Sequence, residues 1–248
     1  HIGTNGDGWG DNSERNLISG NGATGIKIVG HQTAYNVVAG NWIGLDATGE
    51  GSIGNVGDGI LIGFGAHSNR VGTNGNGVSD TVESNVISGN LSAGVMIIGA
   101  NTSDNVVSGN WIGTDALGLK AQGNNNWGIR IADGAHNNRI GTDADGFHDL
   151  RERNVVSGNH QDGIRIEHTT SIANRISGNY IGLDPSGTDG IGNRGNGILI
   201  YQSSQNIIGG SVPVSGNVIS GNHGDGINLE GIDAVANEIQ GNRIGTTA

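Results

Sequence analysis

Acidic and amide side chains recur at one spacing in three stretches of this sequence, where their oxygen atoms could bind a metal ion. Stretches 5–14, 74–83 and 143–152 share the pattern D/N-x-D/N-G-x-x-D-x-x-E. Oxygen ligands favour Ca²⁺ over transition metals, and a flexible loop suits Ca²⁺ better than Mg²⁺. The candidate metal ligands are Asp143, Asp145, Asp149 and Glu152, then Asn5, Asp7, Asp11 and Glu14, and then Asp80 and Glu83.

The three loops differ in charge, and this ranks them as cation sites. The third loop has four carboxylates and the second has two, so affinity is expected to fall from the third loop to the first and then to the second. The spacing resembles the calcium loops of dockerin, thrombospondin type 3 and EF-hand-like repeats, although an EF-hand has an earlier Asp and a later Glu. The alternative is a turn rich in Asp and Asn that binds no ion.

The densest group of ionisable residues lies farther along the chain and could perform acid–base chemistry. It consists of Asp162, Arg165, Glu167 and His168. Side chains of these types, if positioned at a sugar ring, could remove and return a proton. However, segment 162–167 is echoed by segment 225–230, and a cluster that recurs favours a structural role. We therefore assign no catalytic residue, and these four are the candidates only if the chain is an enzyme.

An aromatic residue occupies one position three times, at intervals of 69 residues: Trp42, Trp111 and Tyr180. If these rings face outward on alternate coils of a solenoid, they lie about 9.6 Å apart, twice the strand spacing, and could stack on sugar rings. The interpretation we favour is that neighbouring insertions cover them, through the repeated apolar residues Trp9, Val78 and Phe147, because an uncovered apolar ridge is costly.

The elements that position these residues follow from an internal repeat. The motif at 16–21, Asn-Leu-Ile-Ser-Gly-Asn, returns in closely similar form at 85–90, 154–159 and 217–222. A fixed period indicates stacked units that bury their apolar faces against one another. Each 69-residue repeat also contains two Gly-Ile-x-Ile segments, and no window has the 3.6-residue periodicity of a helix. We therefore predict an all-β, right-handed parallel β-helix (a solenoid) of about seven coils, with two coils per repeat and three short strands per coil.

The pattern Asn-x-Ile-x-Gly-Asn followed by Gly-Ile-x-Ile resembles the parallel β-helix repeats of the pectin-lyase-like superfamily, in the variety found in large bacterial surface proteins. The resemblance covers essentially the whole chain. It implies that the repeated Asn residues lie inside the turns and bond to their equivalents one coil above and below. It leaves the activity open, since this superfamily includes lyases, hydrolases, epimerases, tailspikes and adhesins.

Composition limits the remaining choices. The net charge of −11 and the scattered basic residues disfavour nucleic acid, and no apolar run is long enough for membrane insertion. Residues 1–248 are expected to form a single β-helix repeat domain. Because both ends fall in the middle of a coil, we expect it to be part of a longer array with neighbouring domains.

The leading functional interpretation is a non-catalytic segment of a secreted or cell-surface protein, bacterial in origin. It would act as a rigid spacer or as an adhesive platform that contacts a polysaccharide or cell-surface glycan, stabilised by Ca²⁺. The alternative is a carbohydrate-active enzyme, a polysaccharide lyase or glycoside hydrolase.

Overall fold

The computed structural model describes residues 1–248 and shows a parallel β-solenoid with three sheets. Every named strand pairs in parallel with its equivalents in neighbouring coils, and there is no α-helix. Two short 3₁₀ helices, Asp11–Ser13 and Pro213–Ser215, lie in the connections. The predicted all-β solenoid of about seven coils is therefore confirmed.

Each coil contributes one strand to each sheet in turn. Sheet 1 contains Ile2–Gly3, Val37–Ala39, Arg70–Gly72, Val106–Ser108, Arg139–Gly141, Arg175–Ser177, Ile207–Gly209 and Glu238–Gln240. Sheet 2 contains Leu17–Ile18, Trp42–Ile43, Val86–Ile87, Trp111–Ile112, Val155–Val156, Tyr180–Ile181, Val218–Ile219 and Arg243–Ile244. Sheet 3 contains Ile26–Val29, Ile60–Gly63, Val95–Ile98, Ile129–Ala132, Ile164–Glu167, Ile198–Tyr201 and Ile227–Glu230.

The interior of the solenoid is a single aliphatic column. In the Gly-Ile-x-Ile strands of sheet 3, both Ile positions point inward because side chains alternate along a strand, and the residue between them points outward. The predicted interior residues Ile26, Ile60, Val95, Ile129, Ile164 and Ile198 are all buried. Their equivalent in the last coil, Ile227, is only partly buried because no further coil covers it.

Asparagine ladders occupy all three corners between the sheets. Each side-chain Nδ2 donates to the Oδ1 of the asparagine one coil farther along, at 2.7–3.2 Å. The ladder between sheets 1 and 2 contains Asn16, Asn41, Asn85, Asn110, Asn154, Asn179, Asn217 and Asn242. The ladder between sheets 2 and 3 contains Asn21, Asn55, Asn90, Asn124, Asn159, Asn193 and Asn222. The ladder between sheets 3 and 1 contains Asn36, Asn69, Asn105, Asn138, Asn174, Asn206 and Asn237.

Asn85 shows how completely each rung is satisfied. Its Nδ2 donates to Asn110 Oδ1 at 2.9 Å and to the carbonyl of Val38 in the preceding coil at 2.8 Å. Its Oδ1 accepts from both the backbone N–H and the Nδ2 of Asn41, at 2.9 and 3.0 Å. One side chain thus bonds to the coils above and below it, as the sequence resemblance implied.

Glycine is required where a strand ends next to a ladder. Gly72 has φ +99°, and a Cβ there would lie 1.9 Å from the carbonyl oxygen of Ser108 in the next coil. No other residue combines this backbone conformation with so close an approach. The repeated Gly therefore permits neighbouring coils to approach this closely at the corner.

Two kinds of insertion flank sheet 2 on alternate coils. The acidic loops 5–14, 74–83 and 143–152 precede a strand of sheet 2, and shorter turns that begin at Asp46, Asp115 and Asp184 follow one. In each short turn the Asp carboxylate accepts backbone N–H groups of the same turn. These three Asp residues are therefore turn formers.

Shortening a core side chain should cost most in the middle of the rod. Ile129→Ala is expected to lower the free energy of unfolding by about 2–5 kcal/mol, because it leaves a cavity among fully buried neighbours. Ile227→Ala in the partly buried end coil should cost less. Denaturant unfolding of both variants measures the difference, and equal losses would contradict a continuous core.

The hydrogen bonds of a ladder position can be tested by a substitution that leaves side-chain volume almost unchanged. Asn110→Asp should destabilise the fold by about 2–5 kcal/mol, because a carboxylate cannot donate to Asn154 or to the carbonyl of Val71. Asn242→Asp, at the more exposed end of the same ladder, is the matched control and should cost less. If thermal and urea unfolding show Asn110→Asp to be neutral, the ladders do not stabilise the coils.

Candidate functional sites

The third acidic loop closes on itself through its own carboxylates. Asp149 accepts from the Thr142 hydroxyl at 2.7 Å and from the Gly146 N–H at 3.1 Å. Glu152 accepts from the Asp143 N–H at 3.0 Å. The loop is therefore held in shape by bonds from carboxylates to backbone and hydroxyl groups.

Three of its four predicted ligands converge. One ligand oxygen from each of Asp143, Asp149 and Glu152 lies within 4.8 Å of the others, so this group could hold a metal ion. Burial raises the pKa of Glu152 above its ordinary value, even though the charge of Arg139 beside it opposes the rise. The fourth predicted ligand, Asp145, is not in this group, and its Oδ1 accepts the Phe147 N–H at 2.8 Å.

Arg139 competes with a cation at this place. Its guanidinium lies 3.1 Å from a Glu152 oxygen and 3.7 Å from an Asp143 oxygen. A divalent ion could bind only if it shared these oxygens with the guanidinium or displaced it.

The first and second loops repeat the same internal bonds. Asp11 and Asp80 each accept from a Thr hydroxyl and a Gly N–H, as Asp149 does. Glu14 and Glu83 each accept the backbone N–H of the residue that begins the loop. The second loop therefore forms the network with two carboxylates only, while Asn5 and Asp7 of the first loop bond to each other at its exposed edge.

The loops also contact one another across two coils. The Ser79 hydroxyl donates to Asp11 Oδ2 at 2.5 Å, and this bond lowers the pKa of the Asp11 carboxyl. The acidic loops thus form a column along the rod.

The ionisable cluster predicted around Asp162 lies on the outer face of sheet 3. Arg165 Nε donates to Glu167 at 2.5 Å, and its Nη1 lies 3.4 Å from Asp162. Arg130, one coil earlier, donates to the other oxygen of Glu167 through Nε at 2.6 Å. Burial alone would raise the pKa of Glu167, but the hydrogen bonds and charges of Arg165 and Arg130 outweigh it and lower the pKa below its ordinary value.

The other two members of the predicted cluster are also engaged. Asp162 Oδ1 accepts from the backbone N–H and the Nδ2 of Asn196, at 2.9 and 3.0 Å. His168 Nδ1 lies 2.5 Å from a carboxylate oxygen of Asp133, in a contact that is poorly aligned for a hydrogen bond. Asp162, Arg165 and Glu167 are therefore together, and His168 pairs separately.

Sequence reasoning missed the aromatic part of this cluster. The guanidinium carbons of Arg130 and Arg165 lie 4.9 and 5.6 Å from the ring centre of Trp127, and Arg165 lies 5.7 Å from that of Tyr201. Trp127 and Arg130 belong to one coil, and Arg165 and Tyr201 come from the next two coils. Comparison of single coils would have revealed Trp127, because its equivalents include Asp58 and Asp162.

The aromatic column has the predicted position but a different cover. Trp42, Trp111 and Tyr180 lie in one register of sheet 2, separated by Val86 and Val155. The predicted cover by Trp9, Val78 and Phe147 is wrong, because these side chains project into solvent, Trp9 and Phe147 with 83% and 72% of their surface exposed.

Arginines and the short turns cover the rings instead. The guanidinium of Arg15 lies 4.6 Å from the ring centre of Trp42, and that of Arg153 lies 3.9 Å from that of Tyr180. Tyr180 is buried, and Trp42 and Trp111 are partly buried. Long charged side chains cover these rings better than apolar ones, because the guanidinium stacks on the ring and still reaches water.

The middle ring differs from the other two. A cavity of about 200 Å³ lies over Trp111, between the second and third acidic loops. Its wall includes Ser84, Gly109, Asp80 and Arg151. An equivalent cavity of about 320 Å³ lies over Tyr180, but it has Arg153 in its wall where the cavity over Trp111 has Ser84.

No helix in the structure has the length and apolar character needed to cross a membrane. No protein-family model matches the chain, and no curated protein sequence is significantly similar to it.

The fold is similar to that of solved structures of the periplasmic alginate epimerase AlgG. A single-substitution variant of that enzyme aligns with a TM-score of 0.56 and 16% identity, over 93% of this chain and 50% of the enzyme. A double-substitution variant and the enzyme itself each give a TM-score of 0.52 and 17% identity, over 87% and 88% of this chain and 47% and 46% of theirs. The chain thus spans about half the length of these relatives, and the likeness is one of fold: a parallel β-helix.

Proposed function

We propose that this chain is a non-catalytic β-helical segment of a secreted or cell-surface protein, a rigid shaft that acts as spacer and as platform for contact with polysaccharide. The observation that carries the proposal is the run of asparagine ladders at all three corners, each continuous from one end of the rod to the other. Such a rod resists bending because every coil is bonded to both neighbours at three points.

The state of the ionisable cluster supports the absence of catalysis. Both arginines share Glu167, and Asp162 accepts from Arg165 and Asn196. A general base needs a group that can take up a proton near neutral pH, and the lowered pKa of Glu167 makes it unsuitable. The side chains of Arg130 and Arg165 are only 17% and 21% exposed, so neither projects freely toward a polymer.

The alternative is a carbohydrate-active enzyme, and one observation favours it. Trp127, Arg130, Arg165 and Tyr201 meet on one face of sheet 3 and do not repeat along the rod as a group, as expected of a single active site. The structural relative acts on a polysaccharide, alginate. If the chain were such an enzyme, the arginines would hold a substrate carboxylate. Asp162, Glu167 or His168 would then transfer a proton from or to the sugar ring.

An activity assay distinguishes the non-catalytic segment from the carbohydrate-active enzyme. Incubation of the chain with alginate and pectate is expected to give neither unsaturated products nor new reducing ends, and NMR spectra should show no epimerised residues. Turnover that Arg165→Ala abolishes, while Lys27→Ala on the same outer column of sheet 3 leaves it intact, would establish the enzyme instead. A pull-down with insoluble polysaccharide tests the platform separately.

We also propose that Ca²⁺ binds the acidic loops, with the third loop as the strongest site. The grouping of Asp143, Asp149 and Glu152 supports it, and the competing guanidinium of Arg139 limits its affinity. Because Glu152 has a raised pKa and only its charged form is a ligand, affinity should fall as the pH drops toward that pKa.

Chelation tests this proposal. If Ca²⁺ binds only the folded state, a hundredfold excess over Kd adds about 2.7 kcal/mol to stability, so a chelator should lower the melting temperature. Asp143→Asn should reduce this effect, because it removes a ligand of the strongest site. Asp145→Asn, outside the group of three, is the matched control. It should change the shift in melting temperature caused by the chelator less than Asp143→Asn does. If excess chelator leaves melting unchanged and calorimetry detects no heat on adding Ca²⁺, the loops are self-contained turns.

A further inference from the structure

We propose that the cavity over Trp111 binds the guanidinium group of an arginine side chain presented by a partner polypeptide. This goes beyond the proposed function, because the ligand is a polypeptide rather than a polysaccharide and the site lies on sheet 2. Three positions, one in each 69-residue repeat, are equivalent to this cavity or contain it.

The first and third repeats show how such a group is held. Arg15 places its guanidinium carbon 4.6 Å from the centre of the Trp42 ring, and its Nε donates to the carbonyl of Gly40 at 3.2 Å. Arg153 lies 3.9 Å from the centre of the Tyr180 ring, and its Nε donates to the carbonyl of Gly178 at 2.9 Å. The ring and the carbonyl together form a cradle for a planar cation.

The second repeat keeps this cradle but lacks the arginine. Trp111 and Gly109 occupy the positions of ring and carbonyl, whereas Ser84 stands where the other repeats have Arg15 and Arg153. All three residues line the cavity, and the Gly109 carbonyl accepts no hydrogen bond from the chain. The ring and the carbonyl of this repeat therefore have no arginine of the chain on them, whereas the equivalent cavity over Tyr180 has Arg153 in its wall.

The cavity wall contains one acidic and two basic side chains, so the ring and the carbonyl, rather than the net charge of the wall, would hold the cation. Asp80 contributes a carboxylate to the wall. Of the two arginines that also line it, Arg153 is engaged with Tyr180 and Gly178 of the next coil, and Arg151 is exposed at the rim. The net charge of −11 favours the approach of a basic polypeptide.

A guanidinium fits this cradle better than other groups of similar size. It stacks its plane on the indole and donates an N–H to the carbonyl at the same time, which an ammonium cannot do with one rigid group. A neutral sugar ring could also stack on Trp111, so the experiment must separate it from the cation.

Calorimetric titration with Nα-acetyl-argininamide provides the first test. One saturable site is expected in the wild-type chain. Nα-acetyl-citrullinamide, which has the same shape without the charge, should bind at least about tenfold more weakly. The peptide Gly-Arg-Gly should bind at least as tightly as the amide if the source is a polypeptide, and weaker peptide binding would overturn that part of the proposal.

Two substitutions then give one repeat the residue that another repeat has at the equivalent position. Ser84→Arg should fill the cavity with the chain's own guanidinium and abolish binding of the probe. Arg15→Ser should open the same cradle over Trp42 and raise the number of sites from one to two. Circular dichroism and melting curves establish that both variants are folded.

The proposal is overturned by any of three results with folded protein: no binding of the arginine probe, binding that survives Ser84→Arg, or no second site in Arg15→Ser. Binding of methyl glucoside that Ser84→Arg removes, with no binding of the arginine probe, would assign the cavity to a sugar.

Discussion

The structure depends on a hydrogen bond between asparagine side-chain amides that is repeated at every coil. The strands are only two to four residues long, so the corners add an essential share of the bonds that join one coil to the next. An asparagine at each corner donates to the coil after it and accepts from the coil before it, while also satisfying backbone groups at the turn. Only an amide has both donors and an acceptor in this geometry, which is why Asp, although similar in size, is absent from the ladders.

The ladders and the aliphatic column hold the coils at a constant separation, so the residues that point outward form straight columns. The chemistry of each outward-facing column therefore depends on which side chain each coil places in it. On sheet 3 the column places Arg130 beside Arg165, and Glu167 joins the two. On sheet 2 the same regularity leaves one ring, Trp111, without the arginine that covers its equivalents.

The sequence predicts the fold well because inward positions recur with little change. The Gly-Ile-x-Ile strands identify the core, and the buried Ile129 and Ile164 occupy the predicted places. The repeat also places the acidic loops and the aromatic register correctly. Their contacts were harder to predict, because Trp9 and Phe147 are apolar yet exposed, whereas charged Arg153 packs on Tyr180. Hydrophobicity alone does not show that a guanidinium can cover a ring.

The cluster on sheet 3 could be predicted only in part, for a related reason. Its members in one strand, Arg165 and Glu167, are close in sequence. Trp127 and Tyr201 come from other coils and meet it only through the register of the strands. A comparison of segments 69 residues apart does not reveal them, because the residues that meet here are one coil apart and each repeat contains two coils.

The alternation of the two insertions has a consequence for how the chain avoids misassembly. The ladders treat every coil alike, so they cannot distinguish a coil from its immediate neighbour. The insertions can, because each contacts its own kind two coils away: Ser79 bonds to Asp11 between acidic loops, and Ala116 N–H bonds to the Gly49 carbonyl between short turns. A slip by one coil sets an acidic loop against a coil without one and breaks both bonds. A slip by two coils keeps like insertions adjacent, but it places His148 where Ser79 bonds to Asp11, and it places Pro185, which has no N–H, where Ala116 bonds to Gly49. The insertions thus favour the correct stacking order: an odd slip separates insertions of the same kind, and an even slip keeps them adjacent but loses these two hydrogen bonds.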